Sequence, residues 1–140
     1  MKKLLLAVLG ILIIGITLSA PTHKVVYTVE HDFNFNKAVF GSFFKEPFEI
    51  LLIVFKDGEK SLTFTTRDEI LIDLEMHELQ YLLEKRGRRV KDIAFTVHNH
   101  LTPERPTPGD RRAHNALKGM GFKGPSFVYY PATGELRPVQ

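Results

Sequence analysis

The chain has 140 residues, 44% of them hydrophobic and 25% charged, with a formal net charge of +3; this is room for one domain of modest core and excludes wholesale disorder. It contains no cysteine, so disulfides, thiolate zinc sites and a cysteine nucleophile are excluded, and any metal has to be held by His, Asp or Glu. The densest basic run, Lys85 to Arg89 with Lys91, reads as the cationic end of a helix and its turn, not as a nucleic-acid-binding stripe, and no nucleic-acid partner is expected.

In chain order, Met1-Lys2-Lys3 precedes the apolar run LLLAVLGILIIGIT and then Leu18-Ser19-Ala20, the order of a secretory signal. The run approaches the ~17 residues that cross a bilayer, and Pro21 directly after Ala20 is unfavourable for cleavage, so a membrane anchor stays open for residues 1–20. In either case the lysines stay inside and the domain is exported: secreted, periplasmic or anchored to the outer face of the cytoplasmic membrane, with residues 1–20 as any membrane contact. Residues 21–45 form a lead-in holding the β-prone KVVYTV and the aromatic HDFNFNKAVFGSFF. FEILLIVF is a buried strand, Asp57-Gly58 a hairpin turn and KSLTFTT the returning strand. DEILIDLEMHELQYLLEKRG carries Met76, Leu79, Leu82 and Leu83 at helical spacing and ends at Gly87. VKDIAFTVHNH follows as a strand. A helix then opens at Thr107, with Pro108 in its first position, and closes at Gly119 or Gly121. SFVYYPATGELRPV is a terminal hairpin turning through Pro131 to Gly134. The expected fold class is α/β, a mixed sheet with flanking helices.

The stretch HNHLTPERPTPGD at residues 98–110 carries the chemistry. Strand alternation puts Ile93, Phe95 and Val97 on one face and Ala94, Thr96, His98 and His100 on the other. The two histidines lie ~7 Å apart by strand rise, close enough to converge on one ion. Asp110, in the first turn of the next helix, is placed to join them. Two His and one carboxylate leave a tetrahedral position open, the pattern of a catalytic zinc, while a polar histidine-bearing loop is the simpler alternative.

From about Glu46 to Val139 the chain resembles a JAB/MPN (JAMM) metallopeptidase domain, nearest its bacterial RadC-like branch. The residues that carry this are FTVHNH, PTP, the upstream hairpin, the intervening helix and GFKGPSFVYYPATGE. The contiguous letters HNH do not signify an HNH nuclease, whose three residues are dispersed. The resemblance implies a JAB/MPN-like sheet over residues 46–140, Zn2+ held by His98, His100 and Asp110, and Glu49 as general base with Glu46 as the other candidate. It also implies a hydroxyl at Thr107 where the family has serine, and hydrolysis of an amide or isopeptide bond in a peptide or protein conjugate. Leu101 stands where the family has proline. A second alignment, PTP on PTP, puts Gly109 at the serine and Arg112 at the aspartate and leaves the ion a ligand short. Two other readings stay open: a binding module that keeps the fold without catalysis, and a nucleic-acid-associated protein, against which the export signal argues.

Overall fold

The computed structural model describes residues 25–68, 72 and 74–140. They form a mixed α/β protein built on one six-stranded sheet: β1 (Tyr27–Asp32), β2 (Leu51–Phe55), β3 (Lys60–Thr65), β4 (Ile93–Asn99), β5 (Ser126–Tyr130) and β6 (Glu135–Pro138), in the spatial order β1-β3-β2-β4-β5-β6. All neighbours pair antiparallel except β4 and β5, which run parallel. A parallel pair needs a crossover, and here it contains helix α2 (Pro108–Gly119); the other described helix, α1 (Met76–Glu84), joins β3 to β4.

Both helices cover the same face of the sheet. There Leu79 and Leu83 of α1 and Leu117 of α2 pack on Ile53, Phe55, Leu62, Phe64 and Ile93. Each such side chain contributes roughly 1.5–3 kcal/mol through burial. The opposite face is covered by the lead-in, whose Phe33, Phe40, Phe43 and Phe44 pack on Leu52, Val54 and Val97. Strand β1, also from the lead-in, pairs with β3 along its whole length. The aromatic run is therefore the second layer of the domain: with both helices on one face, the inward residues of β2 and β4 on the other need a cover.

Two expected elements differ in detail. The helix expected from Asp68 starts only at Met76, because Glu75 is extended (φ −77, ψ 155) and offers no side-chain cap; Ile72 and Leu74 instead line a pocket. The strand expected from Val90 starts at Ile93, after a 3-10 turn at Val90–Asp92 in which the Asp92 side chain accepts the backbone N–H of Arg89. Ile93 also faces the other way from Phe95 and Val97. The pairing shifts from Val54↔Phe95 to Phe55↔Ile93, so Ala94 is an extra residue and turns Ile93 to the helix side. Alternation holds from Phe95 onward, which keeps Thr96 and His98 together on the helix side. Helix α2, by contrast, runs as its sequence indicates, with Thr107 as N-cap, Pro108 in the first turn and Gly119 last.

The expected signal or anchor at residues 1–20 lies outside the described residues, among which no helix is long and apolar enough to cross a membrane.

The parallel register of β4 and β5 depends on a close backbone approach. A Cβ built on Gly124 would lie 1.8 Å from the carbonyl oxygen of Ala94, and the next residue, Pro125, accepts the Thr96 amide at 3.2 Å. A backbone obstacle cannot rotate aside. Gly124→Ala is therefore expected to destabilise the fold by about 3 kcal/mol, at the upper end of ordinary overpacking. Denaturant unfolding checks this; a variant as stable as the parent would contradict it.

Candidate metal centre

The site forms where the C-terminal end of β4 meets the N-terminus of α2. Leu51 of β2 pairs with His98, and continuing that antiparallel register brings Glu49 opposite His100 on the helix-side face. Asp110 reaches the same point because Thr107 caps α2. Its Oγ1 accepts the Asp110 amide at 3.2 Å, while Asp110 Oδ2 accepts the Thr107 amide at 2.7 Å. This reciprocal box fixes the carboxylate. Its Oδ1 is then 3.0 Å from His98 Nε2, and its Oδ2 is 3.3 Å from His100 Nε2.

The geometry fits a tetrahedral cation. The two Nε2 atoms are 3.2 Å apart, and one ligand atom from each of the three residues lies within 4.8 Å of the others. Bonds of ~2.0–2.1 Å at tetrahedral angles require donor atoms about 3.3 Å apart, close to the Nε2–Nε2 separation and to the approach of one carboxylate oxygen to each ring, Oδ1 to His98 and Oδ2 to His100. The protonation pattern points the same way. A backbone carbonyl can only accept, so the 2.9 Å contact between His100 Nδ1 and the Glu104 carbonyl places the ring proton on Nδ1. In the neutral ring, the Nε2 lone pair therefore faces an acceptor-only carboxylate. A proton or a cation has to stand between them. Without a cation, burial opposes a charged His100, but the Asp110 carboxylate and the Glu104 carbonyl outweigh it and raise its pKa above the ordinary value. Burial likewise opposes an ionised Asp110, yet the imidazoles of His100 and His98 hold it well below the usual carboxylate range.

Glu49 is only 8% exposed. It lines the same cavity, of about 270 Å³, as His98, His100, Thr107 and Asp110, with Leu51, Leu74 and Met76 forming an apolar wall. Burial pushes its carboxyl up to about 8; the charge of His100 pulls it down, and the Asp110, Asp68 and Glu104 carboxylates reinforce the rise. In the metal-free protein the carboxyl is thus poised near neutrality, a perturbation that marks it as a candidate to move protons.

The structure thus brings together the five residues singled out from the sequence: Glu49, His98, His100, Thr107 and Asp110. Glu46 and Arg112, the alternatives offered by the sequence, lie elsewhere, as do the remaining described histidines. Glu46 is exposed and lines a separate cleft with Tyr27, Phe48 and Arg67. Arg112 is exposed, and it is Asp110 that meets both imidazoles. His114, one turn after Asp110, does not support it: its Nδ1 contacts Ser126 Oγ at 2.7 Å, and its ring sits edge-on to Phe122. His77 pairs with Glu75 at the exposed start of α1, and His31 contacts Thr63.

Two supporting groups left little trace in the sequence. The Glu104 carbonyl that orients His100 is a backbone atom, so no residue type announces it. Tyr130 holds that carbonyl, donating its hydroxyl at 2.6 Å while its ring packs edge-on against His100. Tyr130→Phe is expected to weaken zinc binding about 10-fold, as loss of an outer-shell partner does, with the fold intact. Competition against a chromophoric chelator measures this, and unchanged affinity would count against the relay.

No protein-family model matches this chain, and no curated protein or solved structure is similar to it.

Proposed function

We propose that the protein is a zinc-dependent hydrolase of amide or isopeptide bonds, a JAMM-type metallopeptidase on a JAB/MPN-like fold. The observation that carries this reading is the spacing of His98 Nε2, His100 Nε2 and the Asp110 carboxylate, at 3.0, 3.2 and 3.3 Å, beside a buried Glu49. Support also comes from the resemblance of HNH, PTP and the GFKGPSFVYY strand region to that family.

His98, His100 and Asp110 hold the ion; Tyr130 and the Glu104 carbonyl keep the His100 Nε2 lone pair turned towards it. When bound, zinc supplies Lewis acidity, making water acidic near neutral pH and polarising a carbonyl. Glu49 takes a proton from the attacking water as the water oxygen bonds to the scissile carbonyl carbon. It then returns the proton to the nitrogen as the C–N bond breaks, releasing an acid and an amine. Thr107 Oγ1 accepts the Asp110 amide, which leaves its hydroxyl hydrogen free to stabilise the oxyanion. One such donor is worth about 2.7–4 kcal/mol in better-characterised hydrolases. The apolar wall of Leu51, Leu74 and Met76 gives the uncharged part of the substrate a surface to lie against.

A second reading is a binding module without catalysis. It is favoured by Thr107, whose methyl group stands where the family has a serine. The two are separated by incubating zinc-loaded protein with fluorogenic peptide amides and lysine-isopeptide conjugates. Hydrolysis that a chelator abolishes and zinc restores supports the peptidase. Tight zinc binding with no cleavage of either bond type selects the binding module.

A further inference from the structure

The middle residue of His98-Asn99-His100 is the polar side chain that the proposed chemistry does not use, and it is fully buried, with 0% exposure. Alternation turns it away from the two imidazoles, to the face covered by the aromatic layer. Nothing in a metal site requires an amide there. Its side chain nevertheless makes two long-range hydrogen bonds: Oδ1 accepts the Ile50 amide at 2.6 Å, and Nδ2 donates to the Phe48 carbonyl at 3.0 Å. These two backbone groups flank Glu49. The segment lies just ahead of β2, which begins at Leu51, so the ladder to β4 does not reach it. On its other side, the Glu49 amide donates to Asp68 at 2.9 Å, and the Glu49 carbonyl accepts the Thr65 hydroxyl at 2.6 Å. The backbone at Glu49 is therefore held from both neighbouring strands, and its hold from β4 is a side chain located between the two histidines.

We propose that Asn99 is a positioning residue for Glu49: by bridging Phe48 and Ile50, it sets the distance of the Glu49 carboxyl from the ion held by His98 and His100. An amide suits this task because it offers one acceptor and one donor in a single plane, matching one N–H and one C=O two residues apart. Aspartate would place an oxygen against the Phe48 carbonyl, and leucine would leave both backbone groups buried and unsatisfied. The general base and two of the metal ligands then move as one unit, since the residues on either side of Asn99 are the ligands.

The inference rests on the hydrolase reading, so it is tested by a cycle read in two ways. Asn99→Leu, Glu49→Gln and the double variant are compared in kcat and, separately, in zinc affinity in the absence of substrate. Asn99→Leu is expected to retain stoichiometric zinc, to lower kcat 10- to 100-fold with little change in KM, and to share the loss of affinity seen in Glu49→Gln; a partner of this kind costs 10–100-fold. The double variant is expected to be no worse than Glu49→Gln alone, the sign that both substitutions remove one interaction. Losses that add, or a folded Asn99→Leu with parental kcat and affinity, would overturn the proposal. If Asn99→Leu does not fold, Asn99→Asp decides in the same cycle, since it keeps the volume and the Ile50 acceptor and replaces the donor to Phe48 with a carboxyl oxygen. Should the parent bind zinc but cleave nothing, the hydrolase reading fails, and the affinity arm still decides whether Asn99 acts through Glu49.

Discussion

Asp110→Ala is expected to lose stoichiometric zinc and all zinc-dependent hydrolysis. The loss in affinity should exceed the 10–100-fold typical of an outer-shell partner, because the carboxylate is one of the three proposed ligands and the sole anion among them. The substitution also removes a helix cap, since Asp110 Oδ2 accepts the Thr107 amide, and this costs roughly 1 kcal/mol of stability. Asp110→Asn separates the two effects. Its amide oxygen can still accept from Thr107, which keeps the start of α2, while the negative charge between His98 and His100 is gone. Metal analysis of the purified variants beside His98→Ala gives the answer. Zinc retained at parental stoichiometry in Asp110→Ala would favour the alternative alignment, in which Asp110 is only a cap.

Glu49→Gln separates chemistry from metal occupancy, since it weakens zinc affinity without emptying the site at saturating zinc. It is expected to keep zinc at stoichiometry while hydrolysis falls by about 10²–10⁴, the usual contribution of a positioned general base. The same substitution is expected to stabilise the metal-free protein at alkaline pH. The Glu49 carboxyl is raised from 4.5 to about 8 by burial, with His100 partly opposing. A carboxyl raised in the folded state binds its proton more tightly there than in the unfolded chain. Its contribution to stability is therefore complete below pH 4.5 and declines as pH rises towards 8. Glutamine has no charge to bury and escapes that decline. In chelator, the variant is expected to exceed the parent in unfolding free energy at pH 8 and to match it near pH 4.5. Denaturant unfolding at both pH values tests this, and a parent whose stability does not fall over that interval would contradict it. A protein less stable for carrying the buried carboxyl proposed as its general base is the expected trade between stability and function.

Local signals made much of this molecule legible. Asp57-Gly58 marks the β2–β3 hairpin, where Gly58 adopts φ +71, and Thr107-Pro108 marks the start of α2. His98, His100 and Asp110 were legible because the two histidines share a strand face and Asp110 stands in a capping box with Thr107; Glu49 and the hydroxyl of Thr107 were singled out only by the resemblance to the JAMM pattern. What local pattern could not show is what depends on distant partners. The side on which Ile93 packs is decided by a bulge against Phe55, and the role of the Phe-rich lead-in by a sheet face that the helices leave uncovered. The late start of α1 leaves Ile72 and Leu74 lining the pocket ahead of an extended Glu75, against the helical pattern of the segment. Asn99 was hidden for a related reason: its partners, Phe48 and Ile50, are about fifty residues away in sequence, and they offer backbone groups, which every residue has.

The account stands on one cation held jointly by β4 and α2. X-ray absorption at the zinc edge of the zinc-loaded protein tests this most directly. Two imidazole nitrogens, one carboxylate oxygen and one further light donor at about 2.0–2.1 Å is the predicted shell, with one imidazole lost in His98→Ala. A zinc that binds without imidazole scattering, or a protein that takes up no zinc, would contradict it.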